Sequence, residues 1–481
     1  MIVGMINPMR KKLFDIIAAI LTAVLLISCG TAADLSELST LTLTVSPTTS
    51  ITLDATPTPS KDITLLPDEI PTGIEVIFWH SWSGKMANLV DEMIREFNDN
   101  NQWDISIQAS AFSDEQVLMQ QVADTMEMGQ SLPDLIAAPD YFLTALVENG
   151  IALRDQDVYL NSIIWGIPQA ELDRIFPVFL ESGLLAGERI SFPAYRTGHF
   201  LFYNRSWAGE LGFSQMPETP DSFEEQACAA ARANQFGPIR ENIGTGGWVY
   251  SLDSPALLSW LKAFEGGVND PAGDISNLQG SGNIDSSSYL YDLFLPANNC
   301  AWLGRQPLPY QYFANRQAIS YSGIMEDILI QEQVNELNDT VDDWTIVPYP
   351  SISGRPVVTV SGISYGITSS DEDKSLAVWE FIKWMTTTEN QVRIVETTAT
   401  FPLSATALDA LGEFRAAHPA WSDGLVYLPF AEHIPSSKEW IIVRDILSDI
   451  SWQLIQFTTT RENIPGIWEN ADTLLKEIVA N

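Results

Sequence analysis

Four histidines, three cysteines and 25 basic residues in a chain of 481 leave several chemistries short of side chains. The histidines (His80, His199, His418 and His433) are scattered, with no HExxH and no pair at ligand spacing, so no metal site is expected. No CxxC occurs, which argues against thiol redox catalysis and a zinc knuckle. Gly84-Lys85 is not a phosphate loop, because Trp79 holds the earlier glycine position and Met86 follows the lysine. Gly244-Thr245-Gly246-Gly247 lacks the strand–turn–helix setting of a dinucleotide site. No cofactor and no catalytic residue is therefore expected. Against the 25 bases stand 62 acids, a net charge of -37. Such a surface repels nucleic acid and anionic headgroups, weakly disfavours an anionic ligand, and tolerates a neutral or cationic one. Long apolar runs are scarce too. Ile16 to Ile27 is an uninterrupted stretch of apolar or small residues but shorter than the roughly 20 residues a membrane-spanning helix needs.

That run has the marks of export instead. Arg10, Lys11 and Lys12 precede it, Asp15 sits unusually close to it, and it ends in Leu26-Ile27-Ser28-Cys29-Gly30. The ending resembles the bacterial lipobox, which implies a signal peptide over 1–28 and lipidation of Cys29. The chain is then expected outside the cytoplasm, anchored to the cell membrane. Residues 29–73 are rich in Thr, Ser and Pro without helical periodicity and read as an extended tether. Cys228 and Cys300 remain, and outside the cytoplasm they are expected to form a disulfide.

The chain as a whole is 46% hydrophobic and 18% charged, a globular composition with enough length for two or three domains. Ile74–Trp79 suits a buried strand. Met86, Leu89, Val90, Met93, Ile94 and Phe97 form one helical face, and Asn98–Asn101 stops it. Ile105–Ile107 alternates like a second strand. Asp114 is placed to cap a helix running through Met128 to Gly129. Pro133–Ala138 reads as a third strand, with a helix after Asp140. Strand, helix, strand, helix, strand predicts a parallel α/β layer, whose ligands sit at the carboxyl ends of the strands.

The landmarks along the body resemble the extracellular solute-binding proteins of family 1, the sugar-binding components of ABC importers. EVIFWHSWSGKMANLVDEMIREFNDN is similar to that family's opening strand, turn and helix. SLPDLIAAPDYFLTALVENGIALRD is similar to its Pro-Asp strand and following helix. FPAYRTGHFLFYNRSWAGELGF resembles the first crossing between lobes, and PETPDSFEEQACAAA a family helix start. FANRQAISYSG, WTIVPYPSISGRPVVTVSGISYGI, SLAVWEFIKWMTTTENQ and FPLSATAL resemble the later landmarks in order. The chain departs from the pattern at Asn315–Ile319, where Gly-x-x-Ala-Met is common, and at Pro193-Ala194-Tyr195, where Pro-Tyr is usual. The resemblance implies an α/β, two-lobe periplasmic-binding-protein-like fold (type II) with a three-segment hinge. Lobe one would take 74–195 and 363–400, and lobe two 197–360 and 402–481. It implies a monomer that captures a small solute in the interlobe cleft and hands it to the membrane subunits of an ABC importer. A mono- or oligosaccharide is favoured, since 15 Trp, 13 Tyr and 21 Phe offer rings for stacking against sugar faces.

Strand ends and crossings nominate the ligand-binding residues: His80 and Trp82; Asp140 and Tyr141; Tyr195, Arg196 and Thr197; Trp248 and Tyr250 in a Gly-rich loop; Tyr321, Ser322 and Gly323; Ser361 and Gly362. Arg196 has a competing role as a structural ion pair at the hinge. Trp79, Trp379 and Trp384 are assigned to the core. Two other functions remain open at this point. One is a surface-anchored glycoside hydrolase, for which two suitably spaced carboxylates would suffice. The other is a sensor lipoprotein that binds a protein partner.

Overall fold

The computed structural model describes residues 66–269, 275, 278–295, 297–305 and 308–479. The expected signal peptide, Cys29 and most of the tether lie outside these residues. Within them, the apolar runs near the start become strands β1 (Glu75–His80), β2 (Ser106–Ala111) and β3 (Leu135–Ala138). β1 lies between β2 and β3 and is parallel to both. Helix α1 (Gly84–Asn100) buries Met86, Val90, Met93, Ile94 and Phe97, the face its periodicity predicts. Helix α2 (Glu115–Glu127) starts where the Asp114 carboxylate accepts from the Val117 amide, and Gly129 follows it at a φ of 64°. Helix α3 (Asp140–Glu148) leaves β3 almost at once and sets Asp140 in its first turn.

A small hairpin, β4 (Leu184–Leu185) with β5 (Glu188–Arg189), precedes β6 (Phe192–Asn204), which is 13 residues long and buried at all but one. At about 3.3 Å per residue, such a strand spans roughly 40 Å and can serve two cores. Helix α4 (Pro220–Phe236) begins with a capping box between Thr219 and Ser222 and has Pro220 in its first turn. It lays Ala227, Ala230 and Ala231 on the next strands, β7 (Gly246–Val249) and β8 (Ala301–Trp302). The expected Cys228–Cys300 disulfide is formed and ties α4 to the chain just before β8. The Gly-rich loop expected around Trp248 is strand β7. Its Gly247 is required by packing, since a Cβ there would sit 1.9 Å from the Cys300 carbonyl oxygen.

Strands β9 (Ala318–Ile324) and β10 (Trp344–Val347) pair antiparallel with the far half of β6. β11 (Val358–Ile367) runs antiparallel to both β6 and β3, and β12 (Ala431–His433) adds to its start. The order is β2-β1-β3-β11-β6-β9-β7-β8, with β10 and β12 attached at the side. One core forms around Val76, Phe78, Trp379 and Phe381 beside the first strands. Another gathers Trp248, Trp260, Trp440 and Trp468 beside the later ones. Trp379 is fully buried, while Trp79 and Trp384 pack against the cores from partly buried positions.

Three chain segments meet at Arg196. It pairs with Gly362 of β11, and its carbonyl accepts from the Phe401 amide. A Cβ at Gly362 would lie 2.2 Å from the Tyr195 carbonyl oxygen, so the approach requires glycine. The Arg196 guanidinium is buried. It donates to Asp140 at 3.1 Å, to the Ile363 carbonyl at 2.8 Å, to Ser364 Oγ at 2.8 Å and to Ser182 Oγ at 3.0 Å. Ser191 Oγ donates to Asp140 at 2.7 Å. Burial opposes the charge on Asp140, but Arg196 and the two serine hydroxyls outweigh it and hold the carboxyl below the usual carboxylate range. Removing one partner strands the other. Arg196→Met should therefore cost about 3–5 kcal/mol in urea unfolding, and adding Asp140→Asn should recover much of that loss.

Candidate functional site

The carboxyl ends of β2, β3 and β9 open onto the middle of β6 and β11, and a cavity of about 350 Å³ lies there. Asp140, Tyr141, Tyr195, Thr197, Ser361 and Gly362 line it, so the structure brings these nominated residues together. Glu115, Ser254, Glu326, His433, Trp440 and Arg444 line it as well. A smaller cavity of about 200 Å³ is lined by Tyr250, Ser251, Asp253, Tyr321 and Ser322 among others, gathering three more nominated residues. The other five nominated residues line neither cavity. His80 is buried against Phe78 and Trp82, and burial lowers its pKa to about 4. Trp82 is buried in the same cluster. Trp248 packs on Phe223, Tyr250 and Trp260. Gly323 faces Asp327 and the Phe202 ring. Arg196 takes its competing role, the buried ion pair described above.

Two polar clusters shape the larger cavity. In the first, the Tyr141 hydroxyl donates to Glu115 at 2.6 Å and accepts from Arg444 at 2.6 Å. Arg444 also bonds Glu115 at 3.0 Å and lies 5.3 Å from the Tyr141 ring centre. This joins the start of α2, the start of α3 and the helix Trp440–Leu454. In the second, the Thr197 hydroxyl donates to Glu326, while the Met325 amide donates to Thr197 at 3.3 Å. Burial pushes Glu326 up to about 7. Thr197 and the local backbone pull it down, and the neighbouring charge of Asp327 raises it. Burial also raises the Tyr195 hydroxyl, with Glu326 adding to the effect. The His433 Nε2–H donates to the Val178 carbonyl, and burial lowers the ring's pKa to about 4, so it is neutral near pH 7. Among the described residues no group of three His, Cys, Asp or Glu side chains is placed to hold a metal.

The sequence reading overlooked one spacing. Gly362-Ile363-Ser364-Tyr365-Gly366 matches the G-x-S-x-G of serine hydrolases. That motif needs a sharp strand-to-helix turn, whereas Ser364 lies inside β11, buried, with its Oγ accepting from Arg196. It is a structural serine.

Residues 92–423 match the family described as bacterial extracellular solute-binding protein. The chain belongs to that family. Among solved structures, the solute-binding protein resembles the sugar-binding protein MalE from Xanthomonas citri, with 18% identity and a TM-score of 0.69 over 84% of this chain and 98% of that one. It also resembles the cyclic alpha-maltosyl-1,6-maltose binding protein from Arthrobacter globiformis, with 16% identity and a TM-score of 0.68 over 84% and 99%. UgpB from Mycobacterium tuberculosis, solved with glycerophosphocholine, is similar at 16% identity and a TM-score of 0.68 over 84% and 98%. At these identities the likeness establishes the two-lobe α/β fold. A curated relative, a probable ABC transporter-binding protein of Deinococcus radiodurans, is 26% identical over 147 residues, 26% of this chain and 34% of its own length. The solute-binding protein thus spans about a third of that relative. No helix among the described residues is long and apolar enough to cross a membrane.

Sequence reasoning missed Glu115, Glu326, Trp440 and Arg444. Glu115 and Glu326 carried a usable signal, since each follows a strand end by a few residues. Trp440 and Arg444 carried none, because their helix reaches the cavity only through long-range packing. The raised pKa of Glu326 means that the folded state binds more protons than the unfolded chain between its ordinary value and about 7. Its contribution to stability therefore falls as pH rises through that window. Glu326→Gln should be more stable than the parent by about 1–2 kcal/mol at pH 8, with the gain vanishing near pH 4, as read by thermal melts across pH.

Proposed function

We propose that this solute-binding protein captures a mono- or oligosaccharide in the larger cavity and delivers it to an ABC importer from a lipid anchor at Cys29. The observation that carries the reading is the cavity wall itself, which combines the aromatic residues Tyr141, Tyr195 and Trp440 with hydroxyl and carboxylate groups. A sugar needs both, a ring for its apolar C–H face and planar polar partners for its hydroxyls. The volume lies within the range of small-molecule sites. Two of the structural relatives are named for sugars, and the curated relative for an ABC transporter. The lobes are assigned as 74–195 with 363–400 and 197–360 with 402–481. Closure over the solute would favour the form the importer reads.

The test is intrinsic fluorescence and thermal shift of the full chain against a panel of mono- and oligosaccharides, with recovery of the sugar afterwards. One sugar should give a saturable shift and be recovered intact. Micromolar affinity corresponds to about 8 kcal/mol. Tyr195→Ala should weaken it about tenfold or more through lost stacking. Consumption of the sugar, or silence across the panel, would overturn the reading. The anchor is checked by fractionation: Cys29→Ser should move the chain from the membrane fraction to the soluble one, and unchanged partition would remove the lipid from the proposal.

A further inference from the structure

Most charged groups around the larger cavity are matched. Asp140 is held by Arg196, and Glu115 by Arg444. His433 is neutral near pH 7. Glu326 differs. Among the described residues no Lys or Arg lies within ion-pair distance of it, and its side-chain partner is the uncharged hydroxyl of Thr197. The charge it senses is Asp327, of the same sign. Asp327 is itself bound to the Tyr310 hydroxyl at 2.7 Å and the Ile324 amide at 2.9 Å, so it is not free to turn toward a ligand. The cavity therefore exposes one carboxylate whose burial no protein cation offsets, next to the Tyr195 ring that also lines the space. A buried charge left in this state is stabilised when a cation arrives with the ligand. The surplus of acids over the whole chain, net -37, raises the local concentration of such a ligand and its rate of encounter.

We infer that the solute is a polyhydroxylated molecule bearing a protonated amine, an amino sugar in the simplest case, with its ammonium seated against Glu326. This rests on the reading of the cavity as a sugar site and narrows it. A neutral sugar would gain a hydroxyl hydrogen bond at Glu326. An ammonium gains a charge-assisted one and removes the cost of the unpaired carboxylate. An anionic sugar acid meets repulsion from Glu326 and Asp327. The groups that face Glu326 are Thr197 and Tyr195 of β6, Tyr310, and its neighbour Asp327. The tyrosines stay neutral over the working range, because burial raises both. Two changes then alter the attraction: Glu326 takes up a proton as pH falls below about 7, and the sugar amine, which titrates like an α-amino group near about 7.7, loses its proton toward pH 8.

The test is calorimetric titration of the full chain at pH 7.5 and physiological salt with matched pairs. These are glucosamine and glucose, galactosamine and galactose, mannosamine and mannose, and the β-1,4 disaccharides of glucosamine and of glucose, with N-acetylglucosamine as an uncharged amide control. In at least one pair the amine should bind at least about tenfold more tightly than its neutral partner, and the amide should not reproduce the gain. Glu326→Gln should bring that ratio below about threefold, with its thermal melt showing the variant folded. In the parent the ratio should be greatest between the two titrations and fall steeply toward pH 5.5 as Glu326 takes up a proton, which needs no variant. Saturable binding with equal affinity within the pairs, or tighter binding of the neutral member, would overturn the amine inference and leave the sugar site standing. Absence of binding by both members of every pair would overturn the two together.

Discussion

The junction between the lobes is organised around the contact between Arg196 and Asp140. Arg196 stands where β6, β11 and the segment at Phe401 come together, and its guanidinium holds the first turn of α3, the backbone of β11 and Ser182 at once. Burying both charges is costly, and what offsets the cost is the completeness of the hydrogen bonding rather than the Coulomb attraction alone. The pair also fixes the geometry of the cavity. Asp140 is held from behind by Arg196 and Ser191, so the adjacent Tyr141 is aimed at Glu115 and Arg444. The same three-segment junction places Tyr195 and Thr197 on the cavity wall from either side of Arg196.

Much of the first half could be read from residue order because each signal there is local. The helical face from Met86 to Phe97, the cap at Asp114 and the run before Asp140 each became the element they suggested. Since ligands in parallel layers sit at strand ends, Asp140, Tyr141, Tyr195, Thr197, Ser361 and Gly362 could be nominated and do share one cavity. The signal fades where elements are short or packing is remote. β8 and β12 have two and three residues, too few for any period to show. The glycines around Trp248 looked like a ligand loop, but they serve the close approach of α4 and the Cys300 carbonyl to β7. Arg444 is invisible from its neighbours in sequence, since what gives it meaning is Glu115, more than three hundred residues earlier.

The two polar clusters of the cavity differ in how far their bonds are closed among themselves. Glu115, Tyr141 and Arg444 bond one another, so they shape the wall and hold the helix Trp440–Leu454 against it. Thr197 and Glu326 form an open set, with acceptor capacity left over. A cleft built in this way can be rigid and selective together. The mutually bonded cluster resists rearrangement, and under the proposed reading the open one would discriminate among solutes by what they bring.

The long strand β6 has a further consequence. Its near half pairs with β11 and its far half with β9 and β10, so both cores lean on one uninterrupted run of backbone. Neither core can melt without stripping hydrogen bonds from a strand that the other still needs. The two lobes are thereby made partners in cooperativity. The amides of β6 should belong to the last structure lost, exchanging with solvent only when the entire body opens.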